Sequence, residues 1–502
     1  MANKNQLKIG AILSYLNIIL SIGIGFITAP VLLNSLGKSE YGAYQITAAL
    51  IGYISVLDLG LHNTVTRYVA RYLATRDKRS EENFLAISIG IFMLIGILIM
   101  VVVAVIYANV GNIYKSSTTE EINIIKRLLV VMGLNLAISM PGGVFSSIIT
   151  AYEKFIFSRG CATVKLIARF ILLVVTLNMG GKSLSVVMID FSLNLLMLLL
   201  AIVYCFKYLH IRIKLYEIDK RYIISVFSFS IFVFLASITD QINWKVDTTI
   251  LGIMLGTTAV TYYSIAGSLI SYYRNFSGAI SGIFLPKATK MTASGANNSE
   301  LTDLMISVGR IQLIIIGLIL TGFVVIGKEF ISLWVGDEYL QAYYWFLIMA
   351  LPLLIPMTQS IGINILEAKF KHKFRALVYF GIALANISLT ILLVKNYGII
   401  GAAVATGLAL FVGNNVIINI YYSRVIGLEI GRFFKEVYLK IMPVQMVILA
   451  ALVALDRITN ISGQWADLII KGLIICTVYC VIIYLFVMSD KEKRYITLKR
   501  GT

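Results

Sequence analysis

Residues that bind metals or form disulfides are scarce in this 502-residue chain. It has three histidines and four cysteines, and no histidine stands at metal-ligand spacing from Cys161, Cys205, Cys476 or Cys480. The cysteines lie in or beside hydrophobic segments, where reduced cysteine behaves as a small apolar residue. We therefore expect no zinc site, no haem and no disulfide framework.

Charged residues are also few, and they are confined to short segments. Asp, Glu, Lys and Arg make up 14% of the chain, and no polar stretch exceeds roughly 20 residues. A membrane polymerase or glycosyltransferase needs a sizeable extramembrane loop for its catalytic residues. We therefore do not expect an enzyme.

Long hydrophobic segments fill the chain instead. The mean hydropathy is +0.88, and segments of about 20 apolar residues, the length that crosses a bilayer, recur about fourteen times. The sequence predicts an all-α integral membrane protein with about fourteen transmembrane helices. The expected spans are 9–36, 41–66, 85–107, 124–150, 160–179, 183–206, 222–254, 260–286, 306–327, 340–366, 375–394, 399–422, 437–455 and 465–488. Pro141 in span four, and Pro352 with Pro356 in span ten, are expected to kink their helices.

Basic residues fall almost entirely in alternate loops. Most of the 43 Lys and Arg residues lie on the side that holds both termini, which the positive-inside rule places in the cytoplasm. The net charge of +18 is spread over short loops rather than gathered on one domain. The expected partners of these charges are anionic membrane lipids and not nucleic acid.

The chain contains an internal repeat. Residues 30–53 align without gaps to 249–272, and Leu36, Gly37 and Tyr44 meet identical residues in the second copy. Because six spans separate the copies, both enter the membrane in the same orientation and form a parallel repeat. The turns at 37–40 and 255–259 are then external, and cysteines placed at Ser39 and Thr257 are expected to react with impermeant thiol reagents.

The repeat also predicts the domain organisation. We expect an N-terminal six-helix lobe at 1–206, a cytoplasmic linker at 207–221, a C-terminal six-helix lobe at 222–422 and an extra helix pair at 437–488. Two parallel lobes favour a central cavity that opens to either side of the membrane.

Four segments resemble one family of transporters. They are residues 7–45, residues 57–74 (LDLGLHNTVTRYVARYLA), residues 246–269 and residues 396–412 (NYGIIGAAVATGLALFV). In this order and spacing they are similar to the O-antigen-type polysaccharide flippases of the multidrug/oligosaccharidyl-lipid/polysaccharide exporter superfamily, along essentially the full length of the chain.

The resemblance implies a flippase that moves an undecaprenyl-diphosphate-linked oligosaccharide, an O-antigen or related repeat unit, from the cytoplasmic to the periplasmic leaflet of a bacterial inner membrane. We expect alternating access and no cofactor, with the choice between H⁺ and Na⁺ as coupling ion left open. The implied partners are the lipid-linked oligosaccharide, membrane lipids, and the polymerase and chain-length components of the pathway. Span one lacks the Arg residues of the superfamily's lipid II flippases, which argues against a cell-wall precursor.

A cation-coupled drug or solute antiporter of the same superfamily is the alternative function. It would use acidic cavity residues against a cationic solute. Several Arg and Lys residues inside the spans oppose it.

Cations inside the spans are the candidates for holding the substrate diphosphate. A charged side chain in a span costs a few kcal/mol, so it is a functional candidate by default, and the Arg fork matches phosphate oxygens. The candidates are Arg169 and Arg274 first, then Arg67, Lys165, Arg310 and Lys245. Arg67, Lys165 and Arg310 lie nearer the cytoplasmic ends of their spans, where anchoring at the interface is the alternative role.

Span seven carries polar residues along one helical face. Asp240, Asn243, Trp244 and Asp247 recur at i, i+3, i+4 and i+7, so they share a face that we expect to line the cavity. Asn17 is expected to do the same in span one, the repeat partner of span seven. The alternative for such polar groups is to bind neighbouring helices together.

Acidic residues and one histidine are the candidates for coupling. Asp240 and Asp247 are candidates for binding the coupling ion, although each could instead pair with Lys245 or Arg274. Asp58 and His62 stand at i and i+4 in span two and form a candidate protonation pair, because histidine titrates near neutral pH. Helix packing is the alternative role for His62. Asp190, in the outer part of span six, is a further candidate for coupling.

Overall fold

The computed structural model describes residues 4–217, 220–368, 372–458, 465–489 and 492–493, which contain helices and no strands. The helices are α1 (Lys4–Ser55), α2 (Leu61–Thr75), α3 (Lys78–Ile113), α4 (Thr119–Ala151), α5 (Phe155–Asn178), α6 (Ser183–Lys207), α7 (Lys220–Leu255), α8 (Thr257–Ala293), α9 (Asn298–Val335), α10 (Ala342–Thr358), α11 (Ser360–Ala368), α12 (His372–Tyr397), α13 (Ile399–Leu410), α14 (Ile418–Tyr421), α15 (Ile430–Phe433), α16 (Leu439–Ile458) and α17 (Trp465–Phe486). Short π-helical segments, Phe411–Ile417, Tyr422–Ile426 and Phe434–Tyr438, interrupt the α-helical geometry between α13 and α16. All fourteen predicted spans fall on these helical segments, so the all-α membrane fold is confirmed.

Ten stretches of described helix are long and apolar enough to cross a bilayer, or eleven when α10 and α11 count as one bent span. The first of these, Ile9–Thr75, contains two predicted spans. The two remaining predicted spans are α7 and α8, with 36 and 37 residues. Both exceed the length that a bilayer core requires, although their polar residues lower their mean hydropathy.

Glycines make the two repeat-related turns. Gly37 divides α1 at the predicted boundary between spans one and two, with φ 73°. Gly256, its partner in the repeat, separates α7 from α8 with φ 86°. Glycine adopts this left-handed conformation without a Cβ clash, so the chain turns at the same position in both copies.

Two of the spans are broken. The predicted span at 41–66 is interrupted near its end, because Leu59 and Gly60 both adopt left-handed conformations, with φ 52° and 68°. Span ten bends by 50° between α10 and α11, after Thr358, whereas Pro352 and Pro356 both lie inside α10. Similarly, α4 continues through Pro141.

The described residues form two compact units. Unit 1 takes those of Met1–Ser264 and Thr390–Ile399, and unit 2 those of Ile265–Leu389 and Ile400–Thr502. In unit 1, α4 packs against α1, α3 and α6, and α1 also packs against α5 and α7. The lobe boundaries expected from the repeat stay a prediction.

The extra helix pair, α16 and α17, packs against α9 in unit 2. The apolar contact is formed by Ile448, Leu452, Ile475, Tyr479 and Ile483, with Ile314, Leu318, Val325 and Ile326 around them. The Lys471 ammonium lies 2.8 Å from the Glu329 carboxylate and 2.8 Å from that of Asp456. These ion pairs join all three helices.

Candidate functional site

An ion pair joins α5 to α6 within unit 1. The Nε of Arg169 lies 2.5 Å from Oδ1 of Asp190, and its Nη2 lies 3.1 Å from Oδ2, so the pair is bidentate. The two side chains are 27% and 26% exposed. The guanidinium is thus partly exposed, and the Asp190 carboxylate neutralises its charge.

A second polar contact lies one helical turn from this pair. Lys165 donates a hydrogen bond to Oδ1 of Asn194, and Asn194 donates to Oδ1 of Asn135 on α4 at 2.8 Å. We call Arg169, Asp190, Lys165, Asn194 and Asn135 the basic ladder. It holds two cations and one carboxylate, so it carries a net positive charge.

The residues of the predicted protonation pair lie on either side of the break in span two. The Nε2 of His62 is 3.1 Å from Oδ1 of Asp58. The His62 ring stacks on Phe92 of α3, with centroids 4.5 Å apart, and its Nδ1 is buried without a hydrogen-bond partner among the described residues. Ser147 of α4 donates to the His62 carbonyl at 3.1 Å. His62 thus packs between helices, as the alternative predicted, and also lies beside Asp58, as the protonation pair requires.

The predicted polar face of α7 is only partly open. Asp240 is exposed, and Asn243 and Trp244 are half-buried, but Asp247 is only 4% exposed. Its carboxylate accepts hydrogen bonds from Tyr263 at 2.5 Å and from Thr390 at 3.1 Å. We expected Asp247 to line an open cavity. In this conformation it is instead covered by its hydrogen-bond partners.

Lys245 stands beside this face. Its side chain is half-buried, and its ammonium forms neither an ion pair nor a hydrogen bond with any described residue. The expected alternative, in which Lys245 pairs with an aspartate of its own helix, does not occur. An uncompensated ammonium inside a span is costly unless water or an anion reaches it.

Three further candidates lie on helices other than α4, α5 and α6. Arg67 is exposed on α2, and Arg274 is half-buried on α8 in unit 2. Asn17 donates to the Arg159 carbonyl at 3.2 Å, which joins α1 to α5. For Asn17 the structure favours the helix-binding alternative.

Arg310 is occupied by structural partners. Its Nε and Nη2 lie 2.7 and 3.0 Å from the Glu492 carboxylate, and its donors also bind the Glu436 and Val487 carbonyls. The two side chains of the ion pair are 11% and 10% exposed. These contacts leave few guanidinium donors for a diphosphate, so we do not retain Arg310 as a candidate for binding it in this conformation.

We expect that Arg310→Gln or Glu492→Gln destabilises the purified protein by about 3 kcal/mol or more, because each leaves a buried charge without its partner. Burial favours the neutral form of Glu492, but hydrogen bonds from Arg310 and Ser489 outweigh this and hold the pKa of Glu492 below its ordinary value. A lowered pKa means that the stabilisation is present above the ordinary carboxylate pKa and is lost as the pH falls through the folded value. Thermal unfolding at neutral and acidic pH measures both effects, and equal melting temperatures for variant and wild type at neutral pH would contradict them.

The sequence interpretation missed several polar partners. Its candidates are mostly charged residues, and they leave out Asn135, Asn194 and Tyr263, which lie inside predicted spans. Pairing intramembrane polar residues across helices would have been the useful signal. A single sequence has no measure of which helices adjoin, so the pairs themselves emerge only from the fold.

Several known membrane proteins resemble this chain in sequence or in fold. The chain is 23% identical to the membrane protein EpsK of Bacillus subtilis strain 168 over 498 residues, 96% of this chain and 95% of that protein. It is 22% identical to a protein of Shigella flexneri named as an O-antigen transporter, over 74% of this chain and 88% of that one. The inward-closed structure of the lipid II flippase MurJ has the same fold, with a TM-score of 0.75 at 19% identity over 98% of this chain and 100% of that one.

The family described as polysaccharide biosynthesis protein matches residues 7–292. This match covers more than half of the chain and includes the basic ladder and all of α7. The chain therefore belongs to the polysaccharide biosynthesis protein family.

Proposed function

We propose that the chain is a flippase that carries an undecaprenyl-diphosphate-linked oligosaccharide from the cytoplasmic to the periplasmic leaflet of a bacterial inner membrane by alternating access. Its family membership and the name of its Shigella relative support a transporter of polysaccharide precursors. The O-antigen or a related surface-polysaccharide repeat unit is the proposed cargo.

The basic ladder is the observation that carries this proposal. It sets two cations against one carboxylate within the membrane-spanning part of unit 1. A net positive group in a low-dielectric environment attracts an anion and repels a cation. This favours a diphosphate over the cationic solute of a drug antiporter.

The diphosphate is proposed to bind at cations whose charge is not already neutralised. Among the described residues, Lys165 bonds to a neutral amide, and the Lys245 ammonium has no partner. Arg169 adds its bidentate fork once Asp190 releases it. Arg67 and Arg274 remain candidates for capture and transfer.

Asp240 and Asp247, with the Asp58–His62 pair, are the proposed coupling groups. H⁺ or Na⁺ is the proposed coupling ion. Its binding would neutralise a carboxylate whose charge is costly inside the membrane.

Deletion of the gene in its native host tests the function. We expect the lipid-linked oligosaccharide to accumulate in the cytoplasmic leaflet and the corresponding surface polysaccharide to disappear. The plasmid-borne wild-type chain should reverse both effects. Mass spectrometry of extracted lipids identifies the sugar. Normal surface polysaccharide with no accumulated intermediate would overturn the proposal.

A cysteine at Ser39 tests the proposed topology. Ser39 is exposed at the turn after Gly37, so Ser39→Cys should react with an impermeant thiol reagent in intact spheroplasts. Reaction only in inverted vesicles would reverse the orientation. Thr257, which we expected to react as well, is not a matching probe in this conformation because it is only 1% exposed.

A further inference from the structure

The two repeat-related turns meet at one carboxylate in unit 1. The Ser39 hydroxyl, two residues after Gly37, donates to Oε1 of Glu121 at 2.6 Å. The Thr257 hydroxyl, one residue after Gly256, donates to the same oxygen. A single atom at the start of α4 thus holds both copies of the turn.

Glu121 is fixed independently of the turns. It is the third residue of a capping box at the start of α4, where its Oε2 accepts the Thr118 N–H at 2.8 Å and its own N–H donates to the Thr118 hydroxyl at 3.3 Å. A carboxylate is also stabilised by the helix dipole at this end. The turns can therefore leave Glu121 without displacing it.

Close backbone packing accompanies these bonds. The Thr261 hydroxyl donates to the Lys38 carbonyl at 2.5 Å, and a Cβ at Gly42 would overlap the Thr257 carbonyl. The contact is made by hydroxyls, a carboxylate and backbone, all of which water solvates well once they separate. Such a contact is suited to opening and closing repeatedly.

We propose that Glu121, Ser39 and Thr257, here called the Glu121 latch, form the external gate of the carrier. The proposal rests on the alternating-access function and on the external position of the turns. The latch closes the outer end in this conformation, and the two turns separate when the carrier opens outward. Glu121 is a positioning residue that sets the balance between the two states.

Thiol labelling measures the gate directly. The reporter is Ala259→Cys, a buried position two residues after Thr257, in a chain whose four native cysteines are replaced by alanine, and both Ser39 and Thr257 keep their bonds to Glu121 in that background. Adding Glu121→Ala should raise the rate of reaction with an impermeant reagent about tenfold or more, since losing even one hydrogen bond to a charged group is expected to give a change of about tenfold. Glu120→Ala is the matched control, because Glu120 is exposed in the same helical turn and makes no hydrogen bond with the described residues of either repeat-related turn.

The result that would overturn the latch is an unchanged labelling rate. The Ala259→Cys reporter would then react equally fast alone, with Glu121→Ala added and with Glu120→Ala added, at equal amounts of folded protein by size exclusion. Glu121→Gln is the milder variant if the alanine change lowers folding, and it should give an intermediate rate because its amide oxygen still accepts a hydrogen bond. Labelling needs no substrate, so it reports on the gate even if the proposed cargo is wrong.

Cross-linking supplies the functional readout. A disulfide between cysteines at positions 39 and 257 should stop transport, and reduction should restore it. Transport at the uncross-linked rate by fully cross-linked protein would show that the turns do not separate, which rejects the gate and leaves the flippase proposal standing.

Discussion

Arg169→Ala is expected to abolish export of the surface polysaccharide and to lower the amount of folded protein. The substitution leaves the Asp190 carboxylate without its bidentate partner inside the membrane. Breaking a buried pair on one side costs about 3 to 5 kcal/mol, and the partial exposure of this pair places the cost near the lower end. Arg169→Lys should be intermediate, since an ammonium keeps the charge but not the fork.

The double variant Arg169→Gln with Asp190→Asn separates stability from transport. Removing both charges leaves no unpaired ion at this position, so the protein level should recover toward wild type. If Arg169 contacts the diphosphate, export stays low despite normal protein. Wild-type export by the double variant would remove Arg169 from the mechanism and leave it a purely structural role.

Much of the fold could be predicted from the sequence because the bilayer imposes one dominant rule. Apolar length predicted the spans, and the aligned Gly37 and Gly256 marked the turns that the structure places there. The break at Leu59 and Gly60 was not predicted, because Leu59 adopts a left-handed conformation that is unfavourable for a non-glycine residue. We infer that tertiary packing around the break, including the stacking of His62 on Phe92, holds it.

The polar contacts were less predictable. The i, i+3, i+4 and i+7 spacing places Asp240 and Asp247 on one face of a helix, but it carries no information on which neighbouring helix covers each residue. Asp247 is covered by Tyr263 and Thr390, whereas Asp240 stays exposed. Glu121 stands at ordinary capping-box spacing from Thr118, and its contact with two turns 82 and 136 residues away is visible only in three dimensions.

The second large effect concerns the return of the empty carrier. Moving a diphosphate-linked sugar outward carries about two negative charges, which the membrane potential favours by about 2.3 kcal/mol per charge per 100 mV. The loaded step therefore needs little help from a coupling ion. The empty carrier lacks this driving force and must return with its own buried charges, so ion binding at Asp247 or Asp240 is expected to act on that step.

Asp247→Asn should thus slow multiple turnover about tenfold or more while substrate binding changes less than about twofold. The fold should tolerate the change, because the Asn oxygen can still accept the hydrogen bond from Tyr263 or Thr390. Lys165→Ala should do the opposite and weaken binding itself, since it removes an anion-attracting charge from the basic ladder. Binding and leaflet exchange measured in the same reconstituted vesicles decide between them: if Asp247→Asn loses binding as fully as Lys165→Ala, this division between coupling and binding residues is wrong.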